Sequence, residues 1–357
     1  RACWTGVLVA AEWREAEPSR HSVHFGERIL FLYRCVFLIA AILFSASVAQ
    51  AADPLPSWND GPTKDAIEAF VTKVADKDGP DFVPRADRVA VFDNDGNLWA
   101  EKPFYFQLLF AIDRVKAMAP DHPDWKDKQP FKGAIEGDMK ALAASGERGL
   151  LELLAASHTG MSSAEFQKIA GEWLATAKHP HFKRGYTELV YQPMLELLSF
   201  LRDNGFTTYI VSGGGIEFVR IFSEPVYGIP PAQVVGSSIK TEYQLVDGEP
   251  KIMRLPEMNF IDDKAGKPVG INQHIGKRPI FASGNSDGDF EMLEWTTAGE
   301  GPRFGLIVHH TDADREYAYD RDSHVGRLDK ALDQAVDRDW TVIDMKNDWN
   351  QIFPAAE

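Results

Sequence analysis

Apolar residues recur along most of this chain at spacings of three and four, and in a few short runs they become continuous. The segment TKDAIEAFVTKVAD sets Ile67, Phe70, Val71 and Val74 at helical spacing, and GPDFVPRAD breaks it with glycine and proline. The apolar run Val89 to Phe92 then predicts a first strand. From Pro103 to about Lys178 the pattern is helical throughout, in FYFQLLFAIDRVKAMA, FKGAIEGDMKALAA, GLLELLAAS and SAEFQKIAGEWLATA. Strand-like runs return at TTYIVS (207–212), RPIFAS (278–283), FGLIVHH (304–310) and TVIDM (341–345), most of them separated by helical patterns such as MLELLSFLRDNG and DKALDQAVD. This alternation predicts an α/β fold, a doubly wound parallel sheet covered on both faces. A shorter pair split at DGEP predicts a small β-hairpin insertion near 234–255. No internal repeat or low-complexity tract is present.

Composition narrows the partners. The 357 residues are 44% hydrophobic and 25% charged, enough for a sizeable core, and the net charge of −15 argues against nucleic acid. An anionic substrate therefore needs local positive help. The stretch RILFLYRCVFLIAAILFSASVAQAAD has Arg28 and Arg34 ahead of an apolar run from Cys35 to Phe44, then Ala49-Gln50-Ala51, the pattern of a signal peptide cut after Ala51. The expectation is a periplasmic or secreted protein with no stable membrane anchor after cleavage. Residues 1–27 lie upstream of that signal, contain no methionine and read as a mis-assigned start. Both cysteines, Cys3 and Cys35, precede the cut, so the expected mature protein has neither disulfide nor thiol chemistry.

Candidate chemistry gathers at the strand ends. The first predicted strand runs into Asp93-Asn94-Asp95-Gly96, the second into Ser212-Gly213-Gly214-Gly215, and the third into Gly284-Asn285-Ser286-Asp287-Gly288-Asp289. All three would share one edge of a parallel sheet. Ahead of the third, DDKAGKPVGINQHIG supplies Lys264 and Lys267 at the start of a short helical segment. Acids, a hydroxyl, amides at glycine turns and a lysine are the parts needed to hold a phosphate beside a magnesium ion. Singly, each has an ordinary reading: a turn, a helix entry, a solvated loop, a surface lysine.

In this order, VFDNDGNLW, YIVSGGG, GKPVGINQHIG and ASGNSDGDFEML resemble the four motifs of the haloacid dehalogenase superfamily, over about residues 85–310. The similarity is nearest to the phosphoserine phosphatase-like branch, in which a helical cap sits between the first and second motifs. The division this implies is 1–51 for the upstream segment and signal peptide, 52–102 for a helix and the first part of the core, 103–185 for the cap, and 186–357 for the remaining core. The resemblance also implies a Mg2+-dependent phosphatase acting on a small phosphorylated metabolite, phosphoserine- or phosphocholine-like. Asp93 would be the nucleophile that forms an aspartyl-phosphate, and Asp95 the acid and then base. Ser212, the Gly213 amide and Lys267 would bind the phosphoryl group, with Lys267 fitting better than Lys264 or Lys277 because it begins the helix that leads into the next strand. The metal would lie on Asp93, the Asp95 main-chain carbonyl and the final loop, through Asn285 and Asp289.

Two residues depart from the family pattern: Asn97 stands where threonine is usual, and Asn285 where the last motif usually has aspartate. The second should weaken metal binding, leaving Asp289 the main acid of that loop and Asp287 its rival. Trp99, Phe104, Tyr105 and Phe106 form either an aromatic wall at the site or packing between cap and core. Glu101 and Lys102 either read a charged substrate or are solvated hinge residues, and His309 and His310 end a strand on the same edge. Two other functions stay open: carbon–halogen hydrolysis, against which Asp95 argues, and a non-catalytic binding protein on a degenerate scaffold.

Overall fold

The computed structural model describes residues 52–355, so the expected signal peptide, its cut and both cysteines lie outside the described residues. Val89, Ala90, Val91 and Phe92 form strand β1 (Val89–Phe92), and all four are buried. Their side chains alternate between two cores: Ala90 and Phe92 join one apolar cluster, Val89 and Val91 the other. A run apolar at every position is what a strand covered on both faces requires.

Before β1, helix α1 (Pro62–Ala75) buries Ile67, Phe70, Val71 and Val74. Phe70 packs on Phe281 and Phe304 with ring centroids 6.2 and 5.1 Å away. Between β1 and the next strand come α2 (Phe106–Met118), α3 (Phe131–Glu136), α4 (Met139–Ala144), α5 (Gly146–His158) and α6 (Ser163–Thr176). They enclose a cluster of Ile112, Val115, Trp125, Phe131, Ala134 and Leu153. Ser162 and Glu165 cap α6 reciprocally.

Then follow α7 (Gln192–Asp203), β2 (Thr207–Gly215), α8 (Ile216–Tyr227), β3 (Val234–Val246), β4 (Glu249–Phe260), α9 (Gly266–His274), β5 (Phe281–Gly284) and α10 (Phe290–Thr297). The chain ends with β6 (Phe304–Thr311), β7 (Ala318–Tyr319), α11 (Lys330–Gln334), β8 (Thr341–Asp344) and α12 (Met345–Asp348). The strands form one sheet in the order β4-β3-β2-β1-β5-β6-β7, with β8 also paired to β6. β3, β2, β1, β5, β6 and β8 run parallel, and β4 and β7 antiparallel.

Several boundaries differ from the sequence pattern: β2 runs on through Gly215, β5 begins at Phe281 and ends at Gly284, and two further differences have a plain cause. β3 is more than one arm of a hairpin: Val234 and Val235 pair in parallel with Ile210 and Val211 and are buried, and only the residues beyond them turn outward. The valine pair belongs to the core sheet, and the polar alternation after it belongs to the hairpin. Met345 starts a helix instead of ending β8, because the Asp344 carboxylate caps the amides of Lys346 and Asn347.

Candidate active site

β1 lies between β2 and β5, so three strand ends meet at the centre of the sheet. The Asp93 amide donates to the Ser283 carbonyl at 2.9 Å, carrying the ladder one residue past the strand. The chain then turns sharply: the Asn94 carbonyl accepts from the amides of Asn97, Leu98 and Trp99. Gly96 has a φ of +74°, and a Cβ there would lie 2.1 Å from Asn285 Nδ2 and 2.4 Å from Glu101 Oε1. Asn97 holds the turn with both ends of its carboxamide, donating to the Asp93 carbonyl at 3.0 Å and accepting from Ser283 Oγ at 2.7 Å. The amide therefore does the fastening expected of a hydroxyl at that place.

Lys267, in the first turn of α9, is 1% exposed. Its ammonium lies 2.8 Å from Asp93 Oδ1 and 2.6 Å from Asp289 Oδ1 and donates to the Val211 carbonyl at 3.0 Å. Burial pulls its pKa down, but the two carboxylates outweigh burial and hold it above the usual lysine range. Lys277 instead pairs with Asp87 on the surface, and the Lys264 amide bonds to the Gly288 carbonyl. Asp93 is pushed well above the ordinary carboxylate range, chiefly by burial and then by Asp289, against the pull of Lys267. Asp95 is also raised by burial, opposed by the indole of Trp99, which donates to Oδ1 at 2.7 Å.

Ser212 is fully buried, and its Oγ accepts the Gly214 amide at 3.0 Å, which leaves the hydroxyl proton free for another acceptor. The next amide, Gly215, donates to Gln107 Oε1 at 2.7 Å, and Gln107 Nε2 lies 3.1 Å from His158 Nε2. His158 Nδ1 lies 2.7 Å from Ser157 Oγ, which donates to the Leu153 carbonyl at 2.6 Å. Ser157 spends its proton on Leu153, so Nδ1 carries the imidazole hydrogen and Nε2 accepts from Gln107. Burial, and then Arg254, lower the His158 pKa to about 3, which keeps the ring neutral. This relay ties the glycines that end β2 to α2 and α5. Sequence reasoning missed it, because a lone Gln and a lone His on helical faces carry no signal.

A cavity of about 360 Å³ opens on these groups, lined by Asp93, Asp95, Glu101, Gly213, Gly214 and Lys267. Its remaining wall includes Tyr105, Gln107, Leu108, Leu150, Leu154 and Ile261. Trp99 and Phe106 are buried packing residues: Trp99 stacks on Phe222 at 4.3 Å, and Phe106 meets Tyr186 at a tilt with centroids 4.5 Å apart. Phe104 is half-buried, and Tyr105 is the member of that group that lines the cavity. Glu101 is 1% exposed, so the solvated-hinge reading is corrected: Asn285 Nδ2 and Tyr319 OH donate to its Oε1 at 2.9 and 2.7 Å. Burial pushes its pKa well up. Lys102 is held by the Val325 carbonyl and Ser323. His310 Nε2 donates to the Gly96 carbonyl at 2.7 Å, bracing the turn, whereas His309 faces Asp320.

The final loop divides its acids. Asp289 Oδ2 accepts the amides of Asn285 and Ser286, and Oδ1 accepts Lys267, so both oxygens are engaged within the protein. Asp287 caps the chain entering α11, accepting the amides of Asp329, Lys330 and Ala331. Asn285 is 1% exposed, and its buried Oδ1 has no hydrogen-bond partner. Among the described residues no three His, Cys, Asp or Glu side chains form a metal cage. The acceptors at hand are instead mixed, and an orphaned carboxamide oxygen beside carboxylates suits a hard cation.

The sequence model of the haloacid dehalogenase-like hydrolases matches residues 90–294, and the chain belongs to that family. It is an enzyme of the hydrolase class. No curated protein matches the sequence. Among solved structures, a conserved protein of unknown function from Anaerococcus prevotii is similar, with 18% identity over 70% of this chain and 86% of that one and a TM-score of 0.48. One from Bordetella pertussis, also of unknown function, has 15% identity over 72% and 98% and a TM-score of 0.43. A phosphoserine phosphohydrolase-like protein from Francisella tularensis has 16% identity over 62% and 87% and a TM-score of 0.35. None of the three bears on what this site does.

Proposed function

We propose that the chain hydrolyses small phosphomonoesters through a phosphorylated Asp93. One observation carries this reading: the buried Lys267 ammonium joins Asp93 at the end of β1 to Asp289 after β5, beside the glycine turn of β2, on one cavity. A carboxylate oxygen of Asp93 attacks phosphorus, the bond to the leaving oxygen breaks, and Asp95 gives that oxygen its proton. A raised pKa suits Asp95, which must arrive protonated. Trp99 fixes its Oδ1, while Oδ2 lies toward Gly214, 3.6 Å from where a Cβ on that glycine would stand. Water then attacks the phosphorus of the aspartyl-phosphate, Asp95 takes the water proton, and phosphate leaves. Lys267, the Gly213 amide and the free proton of Ser212 bind the phosphoryl oxygens as charge develops.

Magnesium, when bound, offsets the repulsion between Asp93 and the phosphate. Asp93, the Asp95 main-chain carbonyl and Asn285 Oδ1 are its holders in this reading, and Asp289 acts by fixing Lys267. Asp95 argues against carbon–halogen hydrolysis, which needs no acid for the leaving group. Among the described residues lining the cavity, Lys267 is the one cation, and it is committed to Asp93 and Asp289. A phosphoserine carboxylate finds no uncommitted cation there, so a neutral or cationic leaving group, as in phosphocholine, is favoured. Turnover of an aryl phosphate, phosphocholine and phosphoserine with Mg2+ and with chelator tests this. No hydrolysis of any phosphomonoester, or hydrolysis indifferent to chelator, sinks it. We also propose export, supported by the run from Arg28 to Ala51; the mature protein should begin ADPLPSW.

A further inference from the structure

Asn285 leaves a charge missing. A carboxamide offers a divalent cation one neutral oxygen, whereas a carboxylate also offsets the cost of stripping water from a small ion. Compensation has to come from another buried acid close to the same turn. Asp289 is unsuited, since both its oxygens are taken by Lys267 and by the amides of Asn285 and Ser286. Asp287 is spent on the amides entering α11. Glu101 remains. It lines the same cavity as Asp93 and Asp95, and it is bonded to the carboxamide in question, Asn285 Nδ2 to Glu101 Oε1 at 2.9 Å.

We propose that Glu101 is the carboxylate ligand of a divalent-cation site in which Asn285 contributes only a neutral oxygen. Three observations support the assignment. Both donors that reach Glu101 end on Oε1, and among the described residues none donates to Oε2. The buried Asn285 Oδ1 is likewise without a partner, and its side chain is wedged into the Asp93–Gly96 turn, with Cγ 2.7 Å from where a Gly96 Cβ would stand. Gly326 leaves room for the carboxylate, since a Cβ there would overlap Glu101 Oε1. The acid thus comes from the segment after the first aspartates, and the amide from the final loop.

The assignment rests on the metal-dependent reading above, and its test separates the two. Binding of Mn2+ alone is followed by the electron paramagnetic resonance signal of the free ion, with no substrate present. Glu101→Gln should weaken Mn2+ binding by about tenfold or more. Adding Asn285→Asp to it restores the same count of amides and carboxylates with the pair reversed, so the double variant should return to within about threefold of wild type. The double variant also keeps a hydrogen bond between positions 101 and 285, which serves if the single variant folds poorly. Tyr319→Phe removes a donor to Oε1 without removing charge and should weaken Mn2+ binding clearly less than Glu101→Gln does. Glu101→Gln binding like wild type, a double variant as weak as Glu101→Gln, or an equal loss in Tyr319→Phe each overturns the assignment. Wild type that binds no Mn2+ overturns both this assignment and the metal reading, whereas the preceding outcomes leave the latter standing.

Discussion

Replacing Lys267 with methionine keeps the length and bulk of the side chain and removes its charge. Asp93 and Asp289 would then face each other, 8% and 0% exposed, with no cation between them. Breaking a buried ion pair from one side costs about 3–5 kcal/mol, because the abandoned charge stays buried. At roughly 2 °C per kcal/mol for a chain of this size, melting should fall by about 6–10 °C in chelator. The sign with pH is fixed by the shift on Lys267. Its raised pKa means that its contribution is complete below the usual lysine value and lost only as pH rises beyond it, so the full loss is seen at pH 8. At pH 5 the loss should be smaller, since the stranded Asp93 carboxylate, raised already by burial, takes up a proton. Asp93→Asn is the contrasting variant: it relieves crowding with Asp289 and should melt within about 2 °C of wild type or above it. Urea unfolding and thermal melting at both pH values decide the matter. A loss under about 1 kcal/mol for Lys267→Met, or a larger one for Asp93→Asn, would refute the view of Lys267 as the tie between the strand ends.

The other predictions concern chemistry and the helical side of the site. Asp93→Asn should abolish aryl phosphate hydrolysis while the protein stays folded, and retention above about one percent of wild-type turnover removes Asp93 from the nucleophile's role. Trp99→Phe keeps an aromatic against Phe222 but deletes the donor to Asp95, so the Asp95-dependent limb of the pH–rate profile should move to higher pH; an unmoved limb shows that the indole does not tune the acid. His158 is lowered to about 3, so as pH falls through its unfolded value near 6.5 the unfolded chain takes a proton the fold refuses, and stability should drop by up to about 1.4 kcal/mol per pH unit. His158→Gln should flatten that drop between pH 6 and 4, and a slope equal to that of wild type counts against the neutral relay.

What could be read from the sequence was what is local. Val89 to Phe92 is apolar at every position, so its strand and the acids just beyond it follow from chain order alone. Lys267 was separable from Lys264 and Lys277 by its place in the first turn of a helix. The parts that escaped depend on residues far apart in the chain. Gln107 and His158 meet only because α2 and α5 pack together, and neither helix advertises a polar bridge. Glu101 reads as a solvated charge until Tyr319, 218 residues later, folds over it. β3 hid its first two residues because a hairpin's polar alternation follows them directly.

The central claim is that phosphorus passes through Asp93. Asp95→Asn removes the base needed to hydrolyse the intermediate but spares its formation from an aryl phosphate, whose leaving group departs without a proton. Acid quench of that variant after incubation with substrate and Mg2+, followed by peptide mass spectrometry, should find a phosphoryl group on Asp93. Phosphate on another residue, or wild-type turnover with no phosphorylated Asp93 in either protein, would contradict the account.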